Sequence, residues 1–167
     1  YNFTDLQTAL NKEGAVVNIK DNIVFEDKQL YVNAKNVTIN GNGYTFNLNE
    51  TNTKNKFMVR GSGLTVNNLT IEGYTSSGMY IYTGKDITLT SVNLNGKDNK
   101  SSLVGIDTDS ASITIENVST KNHKFSGIRL RKNSTITYNG GNNHTDDKQI
   151  ECVEDGGNNQ VINNISD

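Results

Sequence analysis

The chain has 167 residues with a formal charge of −2, and only 33% of its residues are apolar. It carries 27 Asn and 18 Thr but neither Pro nor Trp, a bias that disfavours a helical bundle because these side chains compete with helix backbone bonds. The near-balanced charge argues against a nucleic-acid partner, no apolar run reaches the roughly 18 residues of a membrane span, and the single cysteine, Cys152, excludes an internal disulfide.

The chain opens at Tyr1 without a signal peptide, so a piece excised from a longer protein is expected. Asp5–Leu10 places apolar residues at 6, 9 and 10, which is a helical spacing. Thr4 or Asp5 is the expected N-cap and Gly14 the stop. This segment, within residues 1–15, serves as a cap, because the first winding of a repeat fold otherwise exposes its core and unpaired backbone. Strands at Val16–Ile19 and Ile23–Phe25 begin the winding.

From there the chain repeats itself. Leu64–Ile71, Ile87–Leu94 and Ile113–Thr120 align as an apolar-polar-apolar strand, two polar residues and a second short strand. A looser copy precedes them at Val37–Ile39 and Tyr44–Leu48, and two degenerate copies follow at Ile136–Tyr138 and Val161–Ile165. The residue before each second strand is Gly41, Asn68, Ser91, Asn117, Gly140 and Asn164, in steps of 27, 23, 26, 23 and 24. Gly and Asn tolerate the dihedrals of a tight corner, and stacked Asn amides can bond along a ladder.

A third strand precedes each later pair, at 57–60, 79–82, 106–109 and 128–131, with Gly78, Gly105 and Gly127 directly before three of them. Three short strands per period describe a turn of a parallel β-helix. Alternation points Val37, Ile39, Leu64, Val66, Ile87, Leu89, Ile113, Ile115 and Ile136 inward on a first sheet. Leu69, Ile71, Val92, Leu94 and Val118 fill a second, and Met79, Ile81, Ile106, Ile128 and Leu130 a third. Only inward positions need be apolar, which reconciles a folded chain with low hydrophobicity. A β-sandwich needs no aligned corners, and a leucine-rich repeat needs a consensus absent here.

The opening Phe3–Leu10 together with Asn36–Phe46 resembles the start of the pectate-lyase-like β-helix superfamily. More narrowly, it resembles the pectate-lyase-like adhesive modules of bacterial and archaeal cell-surface proteins. The resemblance implies an all-β, right-handed, single-stranded parallel β-helix of about seven rungs with a short N-terminal capping helix. One domain over residues 1–167 is expected, with the cap at 1–15 and rungs over 16–167. It also implies an extracellular, cell-surface or cell-wall-anchored module that binds a glycan or glycoprotein on another cell, acts as a monomer and inserts in no membrane. The hydrolases of this superfamily use an Asn-Thr-Asp strand, an Asp pair, a Gly-His-Gly and an Arg-Ile-Lys. Here Ile106–Asp109 and Ile128–Arg131 are partial echoes, Asp146-Asp147 falls in an expected loop, and no Gly-His-Gly occurs. Pectate-lyase motifs contain proline, which this chain lacks.

In that superfamily the working surface is the sheet ahead of each Val-Thr-Ile strand. Its outward residues here are Met58 and Arg60, Tyr80 and Tyr82, Asp107 and Asp109, and Arg129 and Arg131. They are flanked by expected loops at 49–56, 72–77, 95–102, 121–125 and 140–149. Tyr80 and Tyr82, roughly 7 Å apart on one face, suit a sugar ring, although tyrosine also favours exposed strands for its own sake. Arg129 and Arg131 suit a sugar carboxylate or sulfate, or else pair across rungs with Asp107 and Asp109. The expected ligand-binding set is therefore Arg60, Tyr80, Tyr82, Asp107, Asp109, Arg129 and Arg131, with no catalytic residue. The alternative is a uronic-polymer lyase or hydrolase using Asp107 and Asp109 as acid and base, a role that neighbouring arginines oppose. A further alternative is a rigid spacer without a ligand.

No cofactor is expected, with calcium at the acidic segment 146–155 as the alternative to a solvated face. His123 and His144 read as surface loop residues and Cys152 as a small core filler. Sequons at Asn36, Asn68, Asn117, Asn133 and Asn164 fall partly on tight corners, where a glycan would obstruct stacking; this favours a prokaryotic source.

Overall fold

A computed structural model of the chain describes residues 2–51, 55–139, 143–145, 150–153 and 157–163. Helix α1 (Phe3–Leu10) leads into β1 (Val16–Asn18), β2 (Ile23–Val24), β3 (Leu30–Val32), β4 (Thr38–Asn40), β5 (Thr45–Asn47) and β6 (Phe57–Val59). There follow β7 (Thr65–Glu72), β8 (Ser77–Tyr82), β9 (Ile87–Asn95), β10 (Ser102–Asp109), β11 (Ser112–Glu116), β12 (Ser119–Lys121) and β13 (His123–Arg131). The last are β14 (Thr135–Tyr138), β15 (His144–Thr145), β16 (Ile150–Val153) and β17 (Gln160–Asn163). A 3₁₀ turn lies at Asp98–Lys100.

The strands pair in parallel, one winding on the next, and form a β-solenoid of about five turns. One stack runs β1-β4-β7-β9-β11-β14-β17 and the other β3-β6-β8-β10-β13-β16. The expected seven rungs are too many. Six strands stack in the second sheet, and the last winding contributes only Gln160–Asn163 among the described residues.

The corner residues behave as their chemistry dictates. Asn68, Ser91 and Asn117 have φ of 52°, 54° and 55°, the left-handed region that short polar side chains tolerate. Asn117 Nδ2 donates to Ser91 Oγ at 3.0 Å, one bond of the expected ladder. Because the corner is a single residue, β7 and β9 run through it and keep their hydrogen bonds on both sides. The expected first and second sheets therefore merge into one. Corners Gly140 and Asn164 lie outside the described residues.

Every inward aliphatic position expected between Val37 and Ile136 is at most 2% exposed. The lower end is closed by aromatic packing: Phe3 meets Phe25 edge-on at 5.1 Å, and Phe25 contacts Phe46 at 5.4 Å. Leu6 and Leu10 of α1 are fully buried, as their helical spacing predicts. The N-cap is Asn2 rather than Thr4 or Asp5; its side chain accepts the Asp5 N–H at 2.9 Å, which starts the helix at Phe3.

Two further expectations change. Gly78, Gly105 and Gly127 lie inside β8, β10 and β13 instead of preceding them. The expected surface loop at 121–125 is almost wholly strand, broken at Asn122 (φ 63°). His123 is consequently a 1% exposed interior residue, not a surface one. Its Nε2 lies 2.7 Å from the Tyr74 hydroxyl, and the two rings stack at 5.8 Å. Burial of the imidazole is tolerated because a buried phenol supplies a hydrogen-bond partner.

Candidate functional site

The face of the β3-β6-β8-β10-β13-β16 sheet is built by alternation. Met79, Ile81, Ile106, Ile128 and Leu130 are fully buried, so the residues between them project to the other side. Register then aligns Tyr31, Met58, Tyr80, Asp107, Arg129 and Glu151 in one row across the strands. A second row holds Tyr82, Asp109, Arg131 and Val153, with Arg60 following Val59 beside Tyr82. The residues singled out in the sequence thus stand side by side.

Their contacts tie them into one layer. Arg129 grips Asp107 with two bonds, Nε to Oδ1 at 3.1 Å and Nη2 to Oδ2 at 2.7 Å. Arg131 Nη2 also donates to Asp107 Oδ2, at 3.2 Å. Asp109 accepts from the Ser110 hydroxyl at 3.0 Å and has the Lys132 ammonium at 3.8 Å. Both aspartates point outward yet are only 4–5% exposed, because these partners cover them. Removing one partner therefore costs more here than at a fully exposed pair.

Tyr80 and Tyr82 have near-parallel rings, 12° apart with centroids at 6.4 Å. The Arg60 guanidinium lies over the Tyr82 ring at 5.2 Å, and that of Arg131 over Tyr80 at 5.8 Å. A guanidinium thus covers a face of each ring. Arg131 Nε is buried with no hydrogen-bond partner among the described residues. Burial raises the pKa of the Tyr80 hydroxyl; the Arg131 charge opposes this, and the Asp109 and Asp107 charges add to it.

Tyr138, half-buried on β14, shows the same effect more strongly, and burial pushes its phenol from 10.0 to about 12. Below pH 10.0 both the folded and unfolded phenols are protonated. Between 10.0 and about 12 only the unfolded one ionises, so stability falls as pH rises through that window. Thermal unfolding across this range should show the midpoint dropping, and Tyr138→Phe should remove part of the drop.

Sequence reasoning missed Lys132 as the Asp109 partner, although it adjoins Arg131. It also missed the interior Tyr74–His123 pair and Glu50, a fully buried acid. One Glu50 oxygen accepts the hydroxyls of Thr75 and Ser76, at 2.9 and 2.6 Å. His144 appears here only as backbone, in β15, and register pairs Cys152 with Leu130. The expectations for the side chains of His144 and Cys152 and for Asp146-Asp147 lie outside the described residues, as does most of the acidic segment considered for calcium. No helix among the described residues is long and apolar enough to cross a membrane.

These features define the chain as a parallel β-solenoid with one polar-aromatic sheet face. No protein-family model and no curated protein sequence matches it. Among solved structures it is similar to the catalytic domain of a GH87 alpha-1,3-glucanase in complex with nigerose, with a TM-score of 0.50 and 10% identity. The match covers 97% of this chain but only 36% of that one. A likeness at this identity shows the shared β-helix fold.

Proposed function

We propose that this chain is a non-catalytic carbohydrate-binding module of a cell-surface adhesin, holding a glycan of another cell against the outward sheet face. The observation that carries the reading is the preformed layer of Arg60, Tyr82, Tyr80 and Arg131, anchored through Asp107. Rigid aromatic and guanidinium groups present hydrogen-bond donors and ring edges with little left to order on binding. Arg60 makes no ion pair among the described residues, so its charge is available to a sugar carboxylate or sulfate. Asp107 and Asp109 are engaged by arginine, lysine and serine, which disfavours proton transfer by either.

A second reading, cleavage of a polysaccharide with Asp107 and Asp109 as the carboxylate pair, draws support from the likeness to a glucanase catalytic domain. A glycan array on the purified module discriminates. Tyr82→Ala and Arg60→Ala should each weaken binding about tenfold, and Arg129→Ala should do so by loosening Asp107. Binding unchanged in Tyr82→Ala and Arg60→Ala removes this face from consideration. Release of reducing sugar or unsaturated product would favour the second reading.

A further inference from the structure

A different face carries the next inference. Asn47, Glu72, Asn95 and Lys121 share one register row at the ends of β5, β7, β9 and β12. Their strand neighbours Phe46, Ile71, Leu94 and Thr120 are buried, so this row faces outward. Beyond it, Gly73, Gly96, Lys97, Asp98 and Asn122 complete a cleft of about 470 Å³, within the usual range for small-ligand sites.

This row combines unspent hydrogen-bonding capacity with a concave setting. Several outward side chains elsewhere on the same sheet bond to one another. Asn40 Nδ2 donates to Asn18 at 2.9 Å and Asn67 Nδ2 to Asn40 at 3.1 Å. Asn93 likewise donates to Thr70 at 3.2 Å and accepts from Ser119 at 2.6 Å. In the cleft, Asn47 Oδ1 caps the Asn49 N–H at 2.9 Å, and Lys97 Nζ is fixed on the Glu50 carbonyl at 2.8 Å. The side chains of Glu72, Asn95, Lys121 and Asn122 make no such bond among the described residues. Donors and acceptors of both kinds therefore converge on one space with their valences open.

We propose that this cleft is a second binding site, distinct from the Tyr82–Arg60 face, and that its ligand is a neutral polyhydroxylated molecule of mono- or disaccharide size. Two carboxylates, Glu72 and Asp98, balance two ammonium groups, Lys97 and Lys121, so the lining selects for no net charge. The ammonium groups oppose a metal ion, and no cluster of three or more His, Cys, Asp or Glu occurs among the described residues. The lining has no apolar side chain to reward an apolar ligand, whereas amides and carboxylates pair with adjacent sugar hydroxyls.

Two-dimensional amide NMR of the whole chain, titrated with maltose, cellobiose and lactose as probes, tests this directly. At least one probe should move the amide signals of Gly73, Asn95, Gly96 and Asn122 while leaving those of Tyr82 and Arg131 in place. Asn95→Ala and Glu72→Gln should each weaken that probe about fivefold, with thermal unfolding unchanged, and Tyr82→Ala should leave it intact. The proposal is overturned if no probe moves these amides. It also falls if the shifts gather on the Tyr82 face, or if both cleft variants bind as the parent does.

Discussion

Replacing Gly61 with alanine should destabilise the solenoid by about 3 kcal/mol, a fall of roughly 6–12 °C in Tm for a domain of this size. A Cβ at Gly61 would lie 2.0 Å from the Ala34 carbonyl oxygen and 2.8 Å from its carbon. Both are backbone atoms of the preceding winding and cannot rotate away. That winding is itself pinned, since the Arg60 and Gly61 N–H groups both donate to the Val32 carbonyl at 2.9 Å. Relief requires one rung to shift on another, and the first side chain to move is Arg60. The glycan binding proposed for Arg60 and Tyr82 should weaken along with stability. Gly43→Ala is the contrasting variant. Its φ is +80° but nothing lies within 4 Å of the added carbon, so only backbone conformation is strained and the loss should be about 1 kcal/mol. Equal melting points for Gly61→Ala and the parent would contradict the close stacking of these corners.

The difference between those glycines separates local requirements, which the sequence displays, from non-local ones. The corner residues Asn68, Ser91 and Asn117 recur at a regular spacing, and one physical requirement, positive φ, selects them all. Inward aliphatics follow by alternation, and with them the row that brings Tyr80 beside Asp107 and Arg129. Non-local pairing is a different matter. Lys121–Phe125 reads as a polar loop, whereas the buried His123 is partnered by Tyr74, 49 residues earlier in the chain. Asp107 is predictably outward, but its burial depends on how two arginine side chains fold over it. The cleft was illegible for a related reason. Asn95 in that row and Asn93 in the neighbouring one are the same residue type on the same strand, and only the bonds each does or does not make separate them.

Asp107→Asn carries the second large effect and separates the two functional readings. The carboxylate accepts three arginine N–H bonds, at 3.1, 2.7 and 3.2 Å, with its side chain 6% exposed and those of Arg129 and Arg131 about a quarter exposed. An asparagine retains one acceptor oxygen and sets an NH2 group against guanidinium donors. Charge-assisted bonds of this kind contribute about 1.5–3 kcal/mol each when buried. With the arginines partly solvated, a net loss of about 2 kcal/mol is expected, or roughly 4–8 °C in Tm. Arg131, whose Nε already lacks a partner, then loses an anchor that holds it near Tyr80. In a binding module the consequence is glycan affinity several-fold weaker, and neither parent nor variant releases product from pectic, uronic or glucan polymers. In an enzyme the parent turns substrate over and Asp107→Asn abolishes it. That loss would remain in a variant still fully folded at the assay temperature, because the missing group would be a proton carrier and not only an anchor for arginine. Turnover by the parent, extinguished in a folded Asp107→Asn protein, is therefore the result that would displace the binding reading.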